Sequence, residues 1–255
     1  MNKQVLAASI LVAFSALPTL SHAQAAPAAA ASPWTVTGNM ALSSEYIYRG
    51  IGQTNRKPAI SGGFDVSHSS GFYVGNWNSS ISWLSDAGAG TVSSNIEMDF
   101  YGGYKGKVGS VDYDLGVLYY YYPGNYPAGF VSPNTTELYG AVTFGPVTAK
   151  YSQSTGNLFG TANSKNSGYL DLTANFDLGS GYTLTGHAGH QTVKNFGAAS
   201  YTDYKLAIAK DISGWVVTAA AIGTNAKGNV GEPYRNAFNK DLGKSRVVLS
   251  LGKSF

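Results

Sequence analysis

Apolar and polar residues alternate with a period of two through most of this chain, and helical periodicity does not recur. In "YLDLTANFDL" Leu170, Leu172, Ala174, Phe176 and Leu178 share one face, and Asp171, Thr173, Asn175 and Asp177 share the other. In "IEMDFYGGYK" Ile96, Met98, Phe100 and Tyr104 oppose Glu97, Asp99, Tyr101 and Lys105. In "VDYDLGVLYYYY" the apolar and aromatic residues Val111 to Tyr121 oppose Asp112 and Asp114. The pattern predicts twelve strands, at 34–49, 59–69, 71–84, 94–106, 110–122, 134–144, 146–155, 167–178, 181–193, 201–210, 214–224 and 244–255. The segments 146–155 and 201–210 alternate less clearly, because glycine and serine interrupt them.

The connections alternate in length. Short turns fall at 69–71, 107–110, 145–146, 179–181 and 212–214, and longer segments at 50–58, 85–93, 123–133, 156–166, 194–200 and 225–243. Alternating short and long connections describe an up-and-down meander. Barrels of the outer membrane keep their short turns on the periplasmic side and their long loops outside. A soluble β-sandwich also alternates along its strands, but its loops need not alternate in length. The expectation is an all-β, transmembrane, up-and-down antiparallel β-barrel of about twelve strands.

The last strand, "SRVVLSLGKSF", places Val247, Leu249, Leu251 and Phe255 on one face. A bare edge there would invite aggregation unless it pairs with the first strand. Phe255 then lies on the lipid face. It resembles the terminal aromatic of the outer-membrane barrel assembly signal, although Lys253 stands where that signal usually has an apolar residue. Two aromatic girdles are expected. Trp34, Tyr73, Tyr104, Tyr113, Phe144, Phe176, Tyr182, Trp215 and Phe255 fall at the short-turn end, and Tyr46, Tyr48, Trp83, Tyr119 and Tyr121 at the long-loop end.

Composition agrees with that architecture. Charged residues are 12% of the 255, glycine numbers 32 and tyrosine 18. A lumen can be polar without dense charge, and the opposite face is apolar. The N-terminus carries Lys3, an apolar run from Val5 to Phe14, and Ser21 and Ala23 before a cleavage point. This predicts a secretory signal peptide over 1–23, an Ala/Pro-rich leader over 24–33 and the barrel over 34–255. The apolar run is too short to span a bilayer as a helix. With no cysteine there is no thiolate metal site, and no metal or cofactor is implied. A net charge of +3 is too small to indicate a nucleic-acid partner.

The first hairpin has a more specific pattern. The segment 41–83 holds Tyr46, Arg49 and Gly50 as Tyr-x-x-Arg-Gly, then Gln53, Thr54 and Pro58, and a Ser-Gly-Phe-Tyr turn at 70–73. Together with "EMDFYGGYKG" (97–106), it resembles the TorF-like porin family of proteobacteria. The resemblance covers most of the chain and implies an outer-membrane barrel, while saying little about cargo.

Parity assigns the lumen-facing charges. Inward acids are Glu45, Asp65, Glu97, Asp99, Asp112, Asp114, Glu137, Asp171, Asp177 and Asp203; inward bases are Arg49, Lys105, Lys150, Lys205 and Arg246. His187 joins them as a pore-lining residue. On a strand Glu45 and Arg49 would lie about 13 Å apart and could not pair directly. Two readings are open. The acidic excess could favour cations in a channel for small polar solutes. Alternatively, paired charges could fill the lumen of a non-conducting barrel with a structural or surface-contact role. A hydrolase would need a Ser/His cluster on the lipid belt or a His–Asp pair at the outer rim, and neither is visible. Expected partners are outer-membrane lipid, the barrel assembly machinery, small polar solutes and lipopolysaccharide. The phosphates of the last could meet the basic loop residues Arg56, Lys57, Lys165, Lys194, Lys227, Arg235 and Lys240. The loops 123–133 and 225–243 are candidates to fold inward.

Overall fold

The computed structural model describes residues 32–88 and 91–255. The expected signal peptide and the leader up to residue 31 lie outside the described residues. The first barrel strand is β1 (Trp34–Ser43), followed by a short hairpin of β2 (Ile47–Tyr48) and β3 (Ile51–Gly52) that stands apart from the wall. The wall continues through β4 (Ala59–His68), β5 (Phe72–Ser80), β6 (Ile96–Val108), β7 (Val111–Tyr121), β8 (Thr135–Phe144) and β9 (Val147–Ser154). It is completed by β10 (Gly168–Gly179), β11 (Tyr182–Thr192), β12 (Tyr201–Ile212), β13 (Trp215–Thr224) and β14 (Arg246–Ser254). Each wall strand pairs antiparallel with its neighbour in sequence, and β14 returns to β1, so twelve strands close the barrel. A short helix, α1 (Trp83–Ala87), sits in the loop after β5, and none of the described helices is long and apolar enough to cross a membrane.

Every predicted strand is present, and the alternation does what it implied. Even positions of β1 and odd positions of β14 face outward, as at Val36, Met40, Leu42, Val247, Leu249 and Leu251. The same outward face carries Phe64, Leu115, Leu138, Leu172 and Leu206 on other strands. This belt of exposed aliphatic residues around a closed wall is the surface of a transmembrane barrel.

The closing seam is short. β1 pairs all ten residues with β4 but only Asn39 to Ser43 with β14. Phe255 extends the seam by two backbone hydrogen bonds, Gly38 N–H to Phe255 O at 2.8 Å and Phe255 N–H to Gly38 O at 3.0 Å. Its ring lies outward, 67% exposed, and covers Gly38; a Cβ on Gly38 would come within 3.0 Å of that ring.

Four of the predicted girdle residues lie elsewhere. Tyr73 turns inward, donating its hydroxyl to Asp114 Oδ1 at 2.6 Å and meeting Tyr139. Phe72, 62% exposed, takes the outward place beside Tyr104. At the other end Tyr46 and Tyr48 lie inside the barrel, and Trp83 begins α1 and packs edge-on against Tyr122. Tyr119 and Tyr121 do face outward and stack with centroids 6.1 Å apart.

Deleting Phe255 removes both terminal seam bonds and the ring on Gly38. We expect the truncated chain to yield far less heat-modifiable barrel on gel electrophoresis than the Phe255→Tyr variant, which keeps both. Equal yields would show that the seam does not need the terminal residue.

Candidate functional site

The first strand ends at Ser43, six residues earlier than its alternation predicts. Beyond it the chain reverses at the Arg49-Gly50 pair, with φ of 44° and 78°. Two consecutive positive φ angles cannot continue a strand; they make the tight two-residue turn favoured in hairpins. Ile47 pairs with Gly52 and Tyr48 with Ile51 on either side of it. The base is tied by Gln53 N–H to Tyr46 O at 2.8 Å and Tyr46 N–H to Thr54 Oγ1 at 3.1 Å. The backbone carbonyl of Gln53 accepts from Ser82 and Trp83 at the start of α1. The segment 44–58 therefore folds into the lumen as a hairpin, a place expected for 123–133 or 225–243. The loop 225–243 instead lies over the hairpin, with Asn236 donating to Asn55 Oδ1 at 3.0 Å.

Arg49 carries the hairpin tip to the opposite wall. Its guanidinium donates to both oxygens of Glu137 on β8, at 3.0 and 2.7 Å, and to Gln191 Oε1 on β11 at 2.9 Å. Its Cζ lies 4.2 Å from the Tyr169 ring centroid on β10 and 4.8 Å from that of Tyr48. Both charges are buried, with side-chain exposures of 3% and 1%. The bidentate fork is the geometry that can repay their desolvation. Gly50 follows because nothing larger fits: a Cβ there would meet Thr224 Cγ2 at 2.5 Å and Asp203 Cβ at 2.6 Å.

Tyrosine hydroxyls hold much of the acidic lumen. Glu97 accepts from Tyr46 at 2.5 Å and Tyr122 at 2.7 Å, and Asp65 from Tyr101 at 2.8 Å. Tyr120 donates to Glu137 at 3.2 Å and meets the Tyr48 hydroxyl at 2.6 Å. These rings lie among Trp77, Leu118 and Phe159 and fill the β5–β8 side of the lumen. Some rest on glycine in the next strand: a Cβ on Gly75 would strike the Tyr101 ring at 2.3 Å. Asp99 is buried beside this cluster, and its Oδ1 accepts no hydrogen bond.

The remaining predicted residues separate into groups. Glu45 lies in the hairpin segment rather than on β1 and pairs with Arg246 at 2.7 Å. His187 stands between two carboxylates, 3.0 Å from Asp203 and 3.4 Å from Asp171. Lys105 and Lys150 lie over the rings of Tyr73 and Tyr139, at 4.1 and 4.0 Å. Lys205 faces inward beside His187 in the strand register. Asp112 pairs with the exposed Lys107 at the short-turn end, and Asp177 is exposed there, accepting from Gly179 N–H at 2.8 Å. These two do not join the central lumen. The parity count thus overstates free negative charge, because Glu45 and Glu137 are each paired with an arginine, Asp112 with Lys107, and Asp171 and Asp203 share His187.

Beneath the hairpin, on the β9–β14 side, lies a cavity of about 180 Å³. Arg49 and Gly50 border it, along with Lys150, Tyr169, Asp171, His187, Asp203 and Lys205. Tyr169, Gln191 and Tyr120 share the inward parity of the charged residues, but a count of lumen charges leaves them out because they carry none. The hairpin also had a signal, a two-residue Arg-Gly turn between Ile47-Tyr48 and Ile51-Gly52.

The family description "Bacterial protein of unknown function (Gcw_chp)" matches residues 27–255. The chain belongs to the Gcw_chp family. No curated protein matches it. Among solved structures, a KdgM porin in complex with disordered oligogalacturonate aligns with a TM-score of 0.52 at 9% identity, covering 87% of this chain and 99% of that one. The NanC porin aligns with a TM-score of 0.50 at 11% identity, again covering 87% and 99%. At these identities the likeness to the Gcw_chp chain is one of fold.

Removing one partner of the Arg49–Glu137 pair strands a buried charge. Arg49→Ala and Glu137→Ala should each lower unfolding stability by about 3–5 kcal/mol, and the joint replacement Arg49→Met with Glu137→Leu by much less. Denaturant titration followed by tryptophan fluorescence checks both; additive losses would contradict the pairing.

Proposed function

We propose that the protein is an outer-membrane channel for small polar solutes, with the inward hairpin 44–58 as its constriction. The carrying observation is a closed barrel whose apolar outside surrounds a polar lumen, narrowed by that hairpin to the cavity beneath it. The cavity is smaller than the roughly 300 Å³ at which pockets for drug-sized ligands begin, so the solutes are small. The shared fold with the KdgM and NanC porins supports the reading. So does the resemblance of the first hairpin to TorF-like porins. In this reading the short turns face the periplasm, and the long loops, with their scattered lysines and arginines, meet lipopolysaccharide. Phe255 serves the assembly machinery at the periplasmic end.

One observation favours a second reading, a non-conducting barrel. The Arg49 latch and the tyrosine packing on the β5–β8 side occupy much of the lumen cross-section. The two readings diverge in a planar bilayer. The channel reading expects small, well-resolved conductance steps from the unaltered protein, and larger steps when residues 46–54 are replaced by a short Gly-Ser linker. Current only after that replacement would favour the plugged barrel, and no current from either would overturn the channel.

Topology has its own check. A cysteine placed at Asn229 should react with an impermeant maleimide on intact cells, and one at Ser180 should react only after the outer membrane is opened. The reverse pattern would invert the barrel.

A further inference from the structure

The barrel wall has a step where the first strand leaves it. β1 ends at Ser43, opposite Ser250, and Ser44 adds one last backbone bond, its N–H to Leu249 O at 2.8 Å. β14 runs on to Arg246, paired there with β13 alone. The residues of β14 that bond across the seam are odd-numbered, as Leu249 and Phe255 are. The next of them, Val247, turns its backbone N–H and C=O to a place that no strand fills.

A cleft of about 320 Å³ opens at this step. Its charged border is Arg56, Lys244 and Arg246 against the one carboxylate of Glu45, with Ser245 and Val247 beside them. Arg246 is engaged, donating to Glu45 Oε1 at 2.7 Å, Lys244 O at 2.7 Å and Leu242 O at 2.6 Å. Glu45 is engaged too, since its Oε1 also accepts from Arg56 N–H at 3.1 Å. Two cations remain. Among the described residues, neither the Arg56 guanidinium nor the Lys244 ammonium has a carboxylate within 4.0 Å. The Arg56 guanidinium reaches the carbonyl of Asp241 at 3.5 Å, and the Asp241 carboxylate is turned to Gly243 N–H at 2.9 Å.

Both cations are exposed, and on a soluble protein water would be partner enough. Their position argues for more. Val247 is eight residues from Phe255, about 26 Å along the strand and about 20 Å along the axis at a tilt of about 40°. With Phe255 at one interface, the cleft lies near the other, at the far edge of an apolar band about 25 Å tall. Val247, Leu249 and Leu42 run down the outward face from it, 66%, 57% and 56% exposed.

We propose that this cleft holds a phosphate of an outer-leaflet lipid, whose acyl chains lie along that aliphatic column. Arg56 and Lys244 supply the charge, and the Ser245 hydroxyl and Val247 N–H supply further donors. A phosphate seated there occupies the edge that β1 vacates and caps the shortest pairing in the barrel. The inference rests on reading the long loops as extracellular, where the phosphorylated lipid is lipid A. It narrows a general attraction of basic loops for lipopolysaccharide to one site.

The full barrel, refolded in detergent micelles, is titrated with lipid A and followed by native mass spectrometry. Lipid A with both phosphates should bind, and lipid A stripped of them should not. The variant R56Q/K244Q, checked as a heat-modifiable barrel, should bind about tenfold more weakly, the scale of a charge-assisted hydrogen bond. R56K/K244R should retain binding. K165Q/K194Q, which removes as many charges from other long loops, should bind like the unaltered protein. Equal binding of the two lipids would overturn the site. So would equal losses in R56Q/K244Q and K165Q/K194Q, which would show only a diffuse attraction. Millimolar inorganic phosphate should leave the lipid in place, and full displacement would overturn the lipid as occupant in favour of free phosphate. Micelles have no sides, so these arms test the cleft apart from the topology. Labelling at Ser180 instead of Asn229 on intact cells would overturn lipid A as the occupant even with binding in the micelle intact.

Discussion

Inside the hydrocarbon layer no water can satisfy a backbone N–H or C=O, so a β-structure survives there only if its first and last strands meet. Everything else in this molecule depends on that closure. The seam between β1 and β14 is its shortest pairing, and the chain's last residue adds two bonds to it. Gly38 matters for a related reason. By leaving the outer face open, it makes room for the Phe255 ring where the strands join.

Closure also makes the lumen a restrictive solvent. The interior is too narrow to hydrate every side chain freely, so each inward carboxylate needs a donor. Tyrosine supplies many of these, because its ring fills space while its hydroxyl reaches an acid. Glycines on neighbouring strands make room for such rings, as Gly75 does for Tyr101 and Gly189 for Tyr169. Abundant glycine and tyrosine with few charges are therefore one design seen in two ways: rings laid on glycines, hydroxyls turned to acids.

The barrel was largely legible in the sequence, because a two-residue period with alternating connection lengths has few other solutions. Strand number and order, outward faces and the placement of Phe255 all followed from it. The lumen was less legible. Parity reports which way a side chain points and nothing about what it meets. It therefore could not tell that Glu137 is claimed by Arg49, or that Lys150 lies over the Tyr139 ring. Glu45 and Arg49 do reach the lumen, but from the hairpin and not from β1, because the period continues in the sequence where the backbone has already turned. Tyr46 and Tyr48 looked like girdle residues for the same reason. The Arg-Gly turn was the one local cue against a longer strand.

The reach of Arg49 has a consequence for the order of events during assembly. Its partners Glu137 and Gln191 lie 88 and 142 residues further along the chain. Contacts so distant carry a loop-closure cost that must be met before they form. The hairpin can therefore find its berth only after β8, β9, β10 and β11 stand side by side. A slip of one residue in any of those strands would swing its contact to the lipid side. The hairpin that follows the first strand thus docks on a wall built from strands far later in the chain, and it fits that wall in one register only.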